Sequence, residues 1–214
     1  MDNNIEKTLV NLEKNNIKTF YSETKSEVSG LVSQLLNEGD TVATGGSHSL
    51  FECGVIELLE SGRYNFLNRY SVPRENRRDI ELKSMDADAY LCGCNAVTEN
   101  GELYNVDGNA NRISAIAFGP KSVIMVVGKN KIVKNLNEAV RRIKTVTAPE
   151  LCKLRGRDTY CKKAGRCISV ADNNNDMTAG CDSPDRICCS FLVTGKQRIK
   201  NRIKVILVNE GLGI

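Results

Sequence analysis

Apolar residues recur along the chain in two alternating patterns. In several segments they are spaced three or four positions apart, and we therefore predict helices at 5–12, 28–36, 50–59, 77–85 and 136–146. Between them lie short β-prone or continuously apolar runs, which predict strands at 18–21, 41–43, 64–67, 89–93, 122–127 and 203–208. Because strands that alternate with helices form βαβ units, the pattern predicts an α/β fold with a mostly parallel sheet flanked by helices.

Two turn signals refine this pattern. Strands at 96–98 and 103–106 flank Asn100-Gly101, which predicts a hairpin because Asn-Gly suits a tight turn. Pro149 predicts the end of the last of the helices above, since proline disrupts a helix interior. Both signals fix the ends of elements rather than their type.

The alternation of helices and strands breaks off between residues 150 and 190. This stretch carries a polar run of Asn and Asp and most of the nine cysteines, with little apolar periodicity. We therefore predict a Cys-rich loop insertion at 150–190, placed before the C-terminal strands and inside a single domain that covers 1–214.

Composition and charge narrow the class of protein. The 214 residues are 41% hydrophobic and 26% charged, with a formal net charge of +4, as in ordinary globular domains. No apolar run reaches the ~18–20 residues of a membrane-spanning helix, and the polar N-terminus lacks the pattern of a secretory signal. Aromatic residues make up only 5%, which argues against a stacking surface for nucleic acid. We expect a cytoplasmic protein without a membrane or nucleic-acid partner.

A glycine-rich turn follows the predicted strand at 41–43 and precedes a predicted helix. Such turns present backbone N–H groups to an anion, so Gly45, Gly46 and Ser47 are candidate ligand-binding residues. The sequence equally allows a tight turn in which Ser47 only caps the helix. The turn has neither P-loop nor GxGxxG spacing. His48 is the sole histidine, so it is either the residue for any histidine acid–base chemistry or a structural, solvent-facing side chain.

A second polar segment surrounds the predicted hairpin. Its density of Gly, Asn, Asp, Glu and Arg is typical of a ligand-binding edge. Its candidate ligand-binding residues are Asn95, Asn109 and Arg112, with Arg112 as the counter-charge to an anion. Its candidate catalytic carboxylates are Glu99, as nucleophile or base, and Asp107, as acid or base. Ordinary turn chemistry of Asn-Gly and Asp-Gly is the alternative.

The late cysteines are candidate metal ligands. In the reducing compartment expected for this chain, clustered cysteines indicate metal or redox chemistry. Four of them match the number of thiolates that binds zinc or an iron–sulfur cluster: Cys161, Cys167, Cys181 and Cys188. Free thiols in a surface loop are the alternative. Cys92 and Cys94 are predicted to pack in the core, on opposite faces of the sheet unless the strand ends before Cys94.

Several of these segments together resemble the LUD (lactate utilisation) domain family, within the broader group of isomerase- and CoA-transferase-like α/β folds. The resemblance covers most of the chain and, besides Arg112, rests on TGGS (44–47), NAVTENG (95–101), NVDGN (105–109), FGP (118–120), VVGKNK (126–131), SPDRIC (183–188) and RIKVILVN (202–209). It implies a Rossmann-like sheet in which the glycine turn and segment 99–109 face one cleft. It also implies a link to the oxidation of lactate to pyruvate beside separate iron–sulfur subunits.

Three functional hypotheses follow. The leading one is a protein that binds a small anionic metabolite or cofactor through the 45–47 turn and Arg112, in lactate utilisation or related redox metabolism. The second is an acyl- or sugar-phosphate-processing enzyme with Glu99 or Asp107 as the reacting carboxylate; the CoA-transferase-like group implies Glu99 as acyl acceptor. In the third, the late cysteines hold a metal and the chain docks, without catalysis of its own, onto an iron–sulfur redox subunit.

Overall fold

The computed structural model describes residues 2–214, in which strands and helices alternate. The strands are β1 (Lys18–Ser22), β2 (Thr41–Thr44), β3 (Asn65–Leu67), β4 (Ala89–Gly93), β5 (Ala96–Thr98), β6 (Leu103–Asp107), β7 (Ser122–Gly128), β8 (Ile132–Val133), β9 (Ser190–Thr194) and β10 (Ile203–Val208). The α-helices are α1 (Asn3–Lys14), α2 (Val28–Leu35), α3 (His48–Glu52), α4 (Val55–Leu59), α5 (Arg77–Lys83), α6 (Asn111–Ala117), α7 (Leu136–Arg142), α8 (Ala148–Leu154), α9 (Tyr160–Ala164) and α10 (Ile168–Ala171).

The strands form two sheets. Six parallel strands make the larger sheet, in the order β1-β10-β7-β4-β2-β3, and a smaller mixed sheet has the order β8-β5-β6-β9. Strand β7 is buried on both faces: Val123, Met125 and Val127 pack with α1 and α6. Ile124 and Val126 pack on the opposite face with α2, α3 and α4. The predicted α/β fold, with a mostly parallel sheet flanked by helices, is confirmed.

The predicted hairpin is confirmed as the antiparallel pair β5 and β6, and its turn packs against α1. Gly101 has a φ of 82°, and a Cβ at this position would lie 2.5 Å from the backbone carbonyl carbon of Asn11. The turn therefore needs glycine both for its backbone angle and for space. The side-chain amides of Asn11 and Asn15 donate to the carbonyls of Glu99 and Gly101, at 2.7 and 3.0 Å.

Two predicted helices end elsewhere than expected. The prediction that a helix ends near Pro149 is wrong, because a π-helical turn, Ile143–Thr147, joins α7 to α8 and Pro149 lies in the first turn of α8. Proline is tolerated there, since the first turn does not need its missing N–H group. The helix predicted at 50–59 is divided into α3 and α4 at Gly54, whose φ of 66° is left-handed.

The Cys-rich segment at 150–190 is more regular than a loop. It contains the end of α8 together with α9 and α10, and β9 begins at its last residue. The sequence analysis did not predict β9 or the smaller sheet that it completes. A separate hydrophobic cluster lies between this sheet and α7, α8 and α9, with Tyr104 of β6 as its largest fully buried side chain. The Cys-rich segment therefore covers one face of the smaller sheet.

Candidate functional site

The carboxyl ends of β2, β4 and β7 meet at one edge of the larger sheet. The chain passes from β2 outward to β3 and returns to β4 on the other side of β2, so the strand order reverses between β2 and β4. In open α/β sheets, ligands bind in the crevice at such a reversal. The backbone N–H of Gly45 donates to the carbonyl of Leu91 at 2.9 Å, which ties the start of the glycine turn to β4.

Glycines at this edge allow the chain segments to approach closely. A Cβ on Gly45 would lie 3.1 Å from the hydroxyl of Tyr90 and from Cδ of Arg112. A Cβ on Gly93, at the end of β4, would lie 3.0 Å from the hydroxyl of Ser47. Within the described chain, the Ser47 side chain makes no capping hydrogen bond to α3, so the predicted capping alternative does not account for this serine.

The rest of the glycine turn divides into an outer and an inner part. Gly46 and His48 are exposed, whereas Ser49 is buried. Exposure of His48 agrees with the solvent-facing alternative for this residue. The inner part of the turn is therefore formed by Gly45, Ser47 and Ser49.

A buried lysine that the sequence analysis did not single out lies at the same edge. Lys131 comes shortly after β7 and is 4% exposed. Its ammonium group donates to the hydroxyl of Ser49 at 3.2 Å, and a Cβ on Gly213 would lie 3.5 Å from its Nζ. Burial and then the positive charge of Arg142 lower the pKa of Lys131 from 10.5 to about 8. The ammonium is therefore still mostly charged at neutral pH.

Arg142 adds a second positive charge near Lys131. Its guanidinium donates to neutral acceptors, namely the carbonyls of Asn95 and Asn130 at 2.9 and 3.2 Å and the hydroxyl of Thr147 at 2.7 Å. Among residues 2–214, no carboxylate lies within ion-pair distance of Lys131 or Arg142. Two cations without a paired counter-ion give this edge a positive potential, which favours a bound anion.

The guanidinium of Arg112 is surrounded by acceptors of the chain itself. It donates to the carbonyls of Gly93 and Val106, to the side-chain oxygens of Asn95 and Asn105, and to the carboxylate of Asp107. The closest of these contacts to Asp107 is 2.7 Å, and the other carboxylate oxygen accepts the N–H of Ile113 in α6 at 2.8 Å. We call this group, Asn95, Asn105, Asp107 and Arg112, the arginine latch, because it joins β4, β6 and α6.

The arginine latch assigns Arg112 a different role from the predicted one. Its N–H groups are all engaged within the chain, so in this arrangement it positions backbone segments rather than facing an anion. Asp107 is likewise held on both carboxylate oxygens. Among the described residues, the charges at this edge that lack a paired carboxylate are those of Lys131 and Arg142.

Glu99 and Asn109 lie apart from the cleft described above. The carboxylate of Glu99 pairs with the ammonium of Lys7 in α1 at 2.8 Å, and Asn109 is exposed beyond the end of β6. The two predicted carboxylates sit at opposite ends of β6, which separates Glu99 from Asp107 by roughly 13 Å or more at ~3.3 Å per residue. The structure therefore does not bring Glu99 and Asp107 into one site.

Cysteine side chains line a cavity between the smaller sheet and the Cys-rich segment. The cysteines that line it are Cys152, Cys161, Cys167, Cys181 and Cys188. The set includes all four predicted ligands and adds Cys152 of α8. The cavity is small, with a volume of about 30 Å³. Within residues 2–214, no three Cys, His, Asp or Glu side chains are close enough to hold a single metal ion.

Burial keeps the thiols of Cys161 and Cys188 protonated at neutral pH. It raises the pKa of Cys161 to about 11 and that of Cys188 to about 12, and nearby cysteines of the same cavity add to both shifts. Cys92 and Cys94 lie elsewhere, in the main core. Both are buried in one hydrophobic cluster, in keeping with the predicted packing role. The predicted opposite faces are wrong, because residues two positions apart in an extended chain point to the same side.

Comparisons with known proteins show which family and which fold this chain shares. The model of the LUD domain family matches residues 5–208. A DUF162 family protein from Deinococcus radiodurans, solved at 1.70 Å resolution, aligns over 96% of each chain with a TM-score of 0.53 and 16% identity, which shows a shared fold. No curated protein matches the sequence.

Other solved structures match about half of the chain. eIF2B delta from Chaetomium thermophilum covers 52% of this chain and 49% of its own length, with 19% identity and a TM-score of 0.37. Ribose 5-phosphate isomerase from Plasmodium falciparum covers 52% of this chain and 53% of its own, with 18% identity and a TM-score of 0.35. Among the helices of residues 2–214, none combines the length and apolar character needed to cross a membrane.

Proposed function

The chain belongs to the LUD domain family, and from this premise we propose that it binds a small anionic metabolite at the carboxyl edge of β2, β4 and β7. The observation that carries the proposal is the buried ammonium group of Lys131, which has a hydroxyl partner and, within residues 2–214, no paired carboxylate. A buried charge of this kind is costly unless an opposite charge accompanies it. A ligand that carries a carboxylate or phosphate supplies that opposite charge.

Two polar side chains, those of Ser47 and Lys131, lie beside the end of β4. The Cβ position of Gly93 lies 3.0 Å from the hydroxyl of Ser47 and 3.8 Å from Nζ of Lys131, so the hydroxyl and the ammonium flank the space above this glycine. The backbone N–H groups of Gly46 and Ser47 are the further donors that the turn offers, since that of Gly45 is bound to Leu91. This arrangement supports an anion that contacts the turn and Lys131 together.

The physiological setting is part of the same proposal. A lactate- or pyruvate-like carboxylate is the ligand class that we favour, within lactate utilisation or related redox metabolism. A cytoplasmic location accords with the cysteine usage, since all nine cysteines are free thiols. The arginine latch supports the site indirectly, because it fixes the ends of β4 and β6 beside the glycine turn.

Titration calorimetry with L-lactate, pyruvate and inorganic phosphate tests the proposal. We expect at least one of these anions to bind the wild type, and Lys131→Met to weaken that binding at least tenfold, which corresponds to the loss of about 1.4 kcal/mol. Lys129→Met is the matched control, because this exposed lysine lies two positions earlier and donates to Asn209 instead. Equal affinity of the wild type and Lys131→Met for every bound anion would refute the proposal.

The acyl-transfer alternative receives less support from the geometry. Glu99 is held by Lys7 of α1 and belongs to the turn of the hairpin, away from the glycine turn. A reacting carboxylate would need to face the donors of the cleft. Incubation with acyl-CoA donors, followed by intact mass measurement of the wild type and Glu99→Gln, distinguishes this hypothesis: only acyl transfer leaves an adduct that the variant lacks.

A further inference from the structure

Several polar side chains lie on one side of the larger sheet, at the carboxyl ends of β2 and β4. Thr44 of β2 pairs in register with Leu91 of β4, and Leu91 packs on the side that α3 covers. Positions two apart in a strand face the same side, so Gly93 also faces it, beside Ser47 and Lys131. The space that Gly93 leaves open is therefore bordered by hydroxyl groups and by one amine.

Two of these side chains have hydrogen-bonding capacity that the described chain leaves unused. The hydroxyl of Thr44 is buried and has no hydrogen-bond partner within residues 2–214. The ammonium group of Lys131 can donate three hydrogen bonds, and among the described residues it donates one, to the hydroxyl of Ser49 at 3.2 Å. Since buried polar atoms are normally paired, both side chains indicate that a polar ligand binds here.

We propose that Lys131 forms a Schiff base with a small 2-oxo acid such as pyruvate, which makes this lysine a catalytic residue. The inference rests on the proposed function, because it uses the same site and specifies its substrate class. The carboxylate of the 2-oxo acid binds to the N–H groups of Gly46 and Ser47, and its carbonyl carbon lies next to Nζ of Lys131. The hydroxyl of Ser47 and this Nζ both lie within 4 Å of the Cβ position of Gly93, a separation that a three-carbon acid can span.

Schiff-base formation is a condensation in which no atom is oxidised or reduced. The neutral amine of Lys131 attacks the carbonyl carbon of the 2-oxo acid, and a nitrogen–carbon bond forms. The carbonyl oxygen leaves as water, with one proton from the amine and one from solvent, and a positively charged imine remains. The hydroxyl of Ser49, which contacts Nζ of Lys131, and that of Thr44 are the groups of this chain that can pass these protons.

The surroundings of Lys131 favour the neutral amine that this reaction needs. Burial and then the positive charge of Arg142 lower the pKa of Lys131 to about 8, and Arg112 acts in the same direction. The thiol of Cys94 and the carboxylate of Glu52 act in the opposite direction, with less effect than burial. About half of the Lys131 side chains are therefore neutral at pH 8, whereas an exposed lysine with a pKa of ~10.4 is almost fully protonated.

The packing around Lys131 limits which molecules reach it. Gly213 covers this lysine closely, because a Cβ on Gly213 would lie 3.5 Å from Nζ. Gly46 is exposed, and Ser47 and Gly93 are partly exposed, so a substrate approaches from the glycine turn. Lys131 itself is 4% exposed, and this burial limits the access of water to the imine. The site therefore suits a small carbonyl compound.

Reduction with cyanoborohydride tests the proposal, because it converts the imine into a stable secondary amine. The full chain is incubated with pyruvate and cyanoborohydride at pH 8, and the modified residue is located by peptide mass spectrometry. We expect an adduct on Lys131 that forms at least tenfold faster than on any exposed lysine. Lys131→Met should lack this fast adduct, and Lys129→Met, the matched control at an exposed lysine, should form as much of it as the wild type.

Two control ligands and one further variant examine the parts of the mechanism. L-lactate has the carboxylate without the ketone and should give no adduct, and acetone has the ketone without the carboxylate and should react at least tenfold more slowly than pyruvate. Thr44→Val removes the unpaired hydroxyl with little change in shape and should slow the adduct at least fivefold. An unchanged rate in this variant would exclude Thr44 from proton transfer.

Calorimetry on the same proteins separates this inference from the proposed function. Anion binding that Lys131→Met weakens, without a pyruvate adduct on the wild type, would overturn the Schiff base and leave the anion site in place. Neither binding nor an adduct would overturn both. An adduct that forms equally fast in Lys131→Met would belong to exposed lysines and would also overturn the Schiff base. Circular dichroism of each variant checks that the fold is intact.

Discussion

Among the described residues, no carboxylate lies within ion-pair distance of the ammonium group of Lys131. We predict that Lys131→Met raises the free energy of unfolding by about 2 kcal/mol at pH 7, because a buried methionine needs no hydration. Urea unfolding of the variant and the wild type measures the difference. Lys129→Met, an exposed replacement nearby, should change stability by less than about 0.5 kcal/mol. A destabilised Lys131→Met would contradict the prediction.

The lowered pKa of Lys131 also fixes how this difference depends on pH. The unfolded chain keeps the lysine proton up to about pH 10.5, whereas the folded chain releases it near pH 8. Between these values the unfolded state binds more protons, so this site contributes increasing stability as pH rises. The advantage of Lys131→Met should be complete below pH 8 and shrink toward pH 10.5. Urea unfolding at pH 7 and at about pH 9.5 measures it, and a constant difference would count against the shifted pKa.

At the scale of single residues, the sequence predicted some features of the candidate site and not others. Glycines and polar residues around Gly45 and Asn95 marked the edge of the sheet, because turns and strand ends have local signatures. The sequence did not indicate that Lys131 is buried, because its burial depends on residues such as Ser49 and Gly213 that are distant in the chain. Arg112 was noticed, but its latching contacts depend on tertiary structure.

At the level of elements, the arginine latch joins strands to a helix. We predict that Arg112→Met lowers the free energy of unfolding by about 3 kcal/mol, because it leaves the carboxylate of Asp107 buried without its ion-pair partner. Thermal and urea unfolding measure the loss, with exposed Arg141→Met as control. Unchanged stability would mean that the contacts of Asp107 with α6 suffice without the arginine.

The packing of the hairpin on α1 gives another prediction at this level. Gly101→Ala should lower the free energy of unfolding by about 3 kcal/mol, because it adds a left-handed backbone cost to a clash with Asn11. Gly195→Ala is the control, since nothing lies within 4 Å of its Cβ position. The two variants are compared by urea unfolding. Equal stability would show that α1 yields to the added methyl group.

Elements differed in how well the sequence predicted them. The strands 89–93 and 203–208 matched β4 and β10, because buried parallel strands are continuous apolar runs. Pro149 led to a wrong helix boundary. In the sequence, a proline in the first turn of α8 looks the same as a proline that ends the preceding helix. Strand β9 was missed because its pairing with β6 depends on contacts between residues far apart in sequence.

At the scale of the whole molecule, strand β6 lies between the cleft at the edge of the larger sheet and the cysteine cavity. Its alternation sends Asn105 and Asp107 to the arginine latch, while Tyr104 and Val106 belong to the cluster beside the cavity. The sequence singled out both sets of candidate residues but not that one strand separates them, because the smaller sheet was not predicted.

Asp107, at the end of β6, contacts residues on both sides of this strand. Its carboxylate holds Arg112, and its backbone carbonyl accepts the N–H of Cys189, next to Cys188, at 3.0 Å. Asp107 is therefore a single tie between the arginine latch and the Cys-rich segment. A substitution that shifts its backbone should disturb the end of β6 and the packing of the Cys-rich segment together.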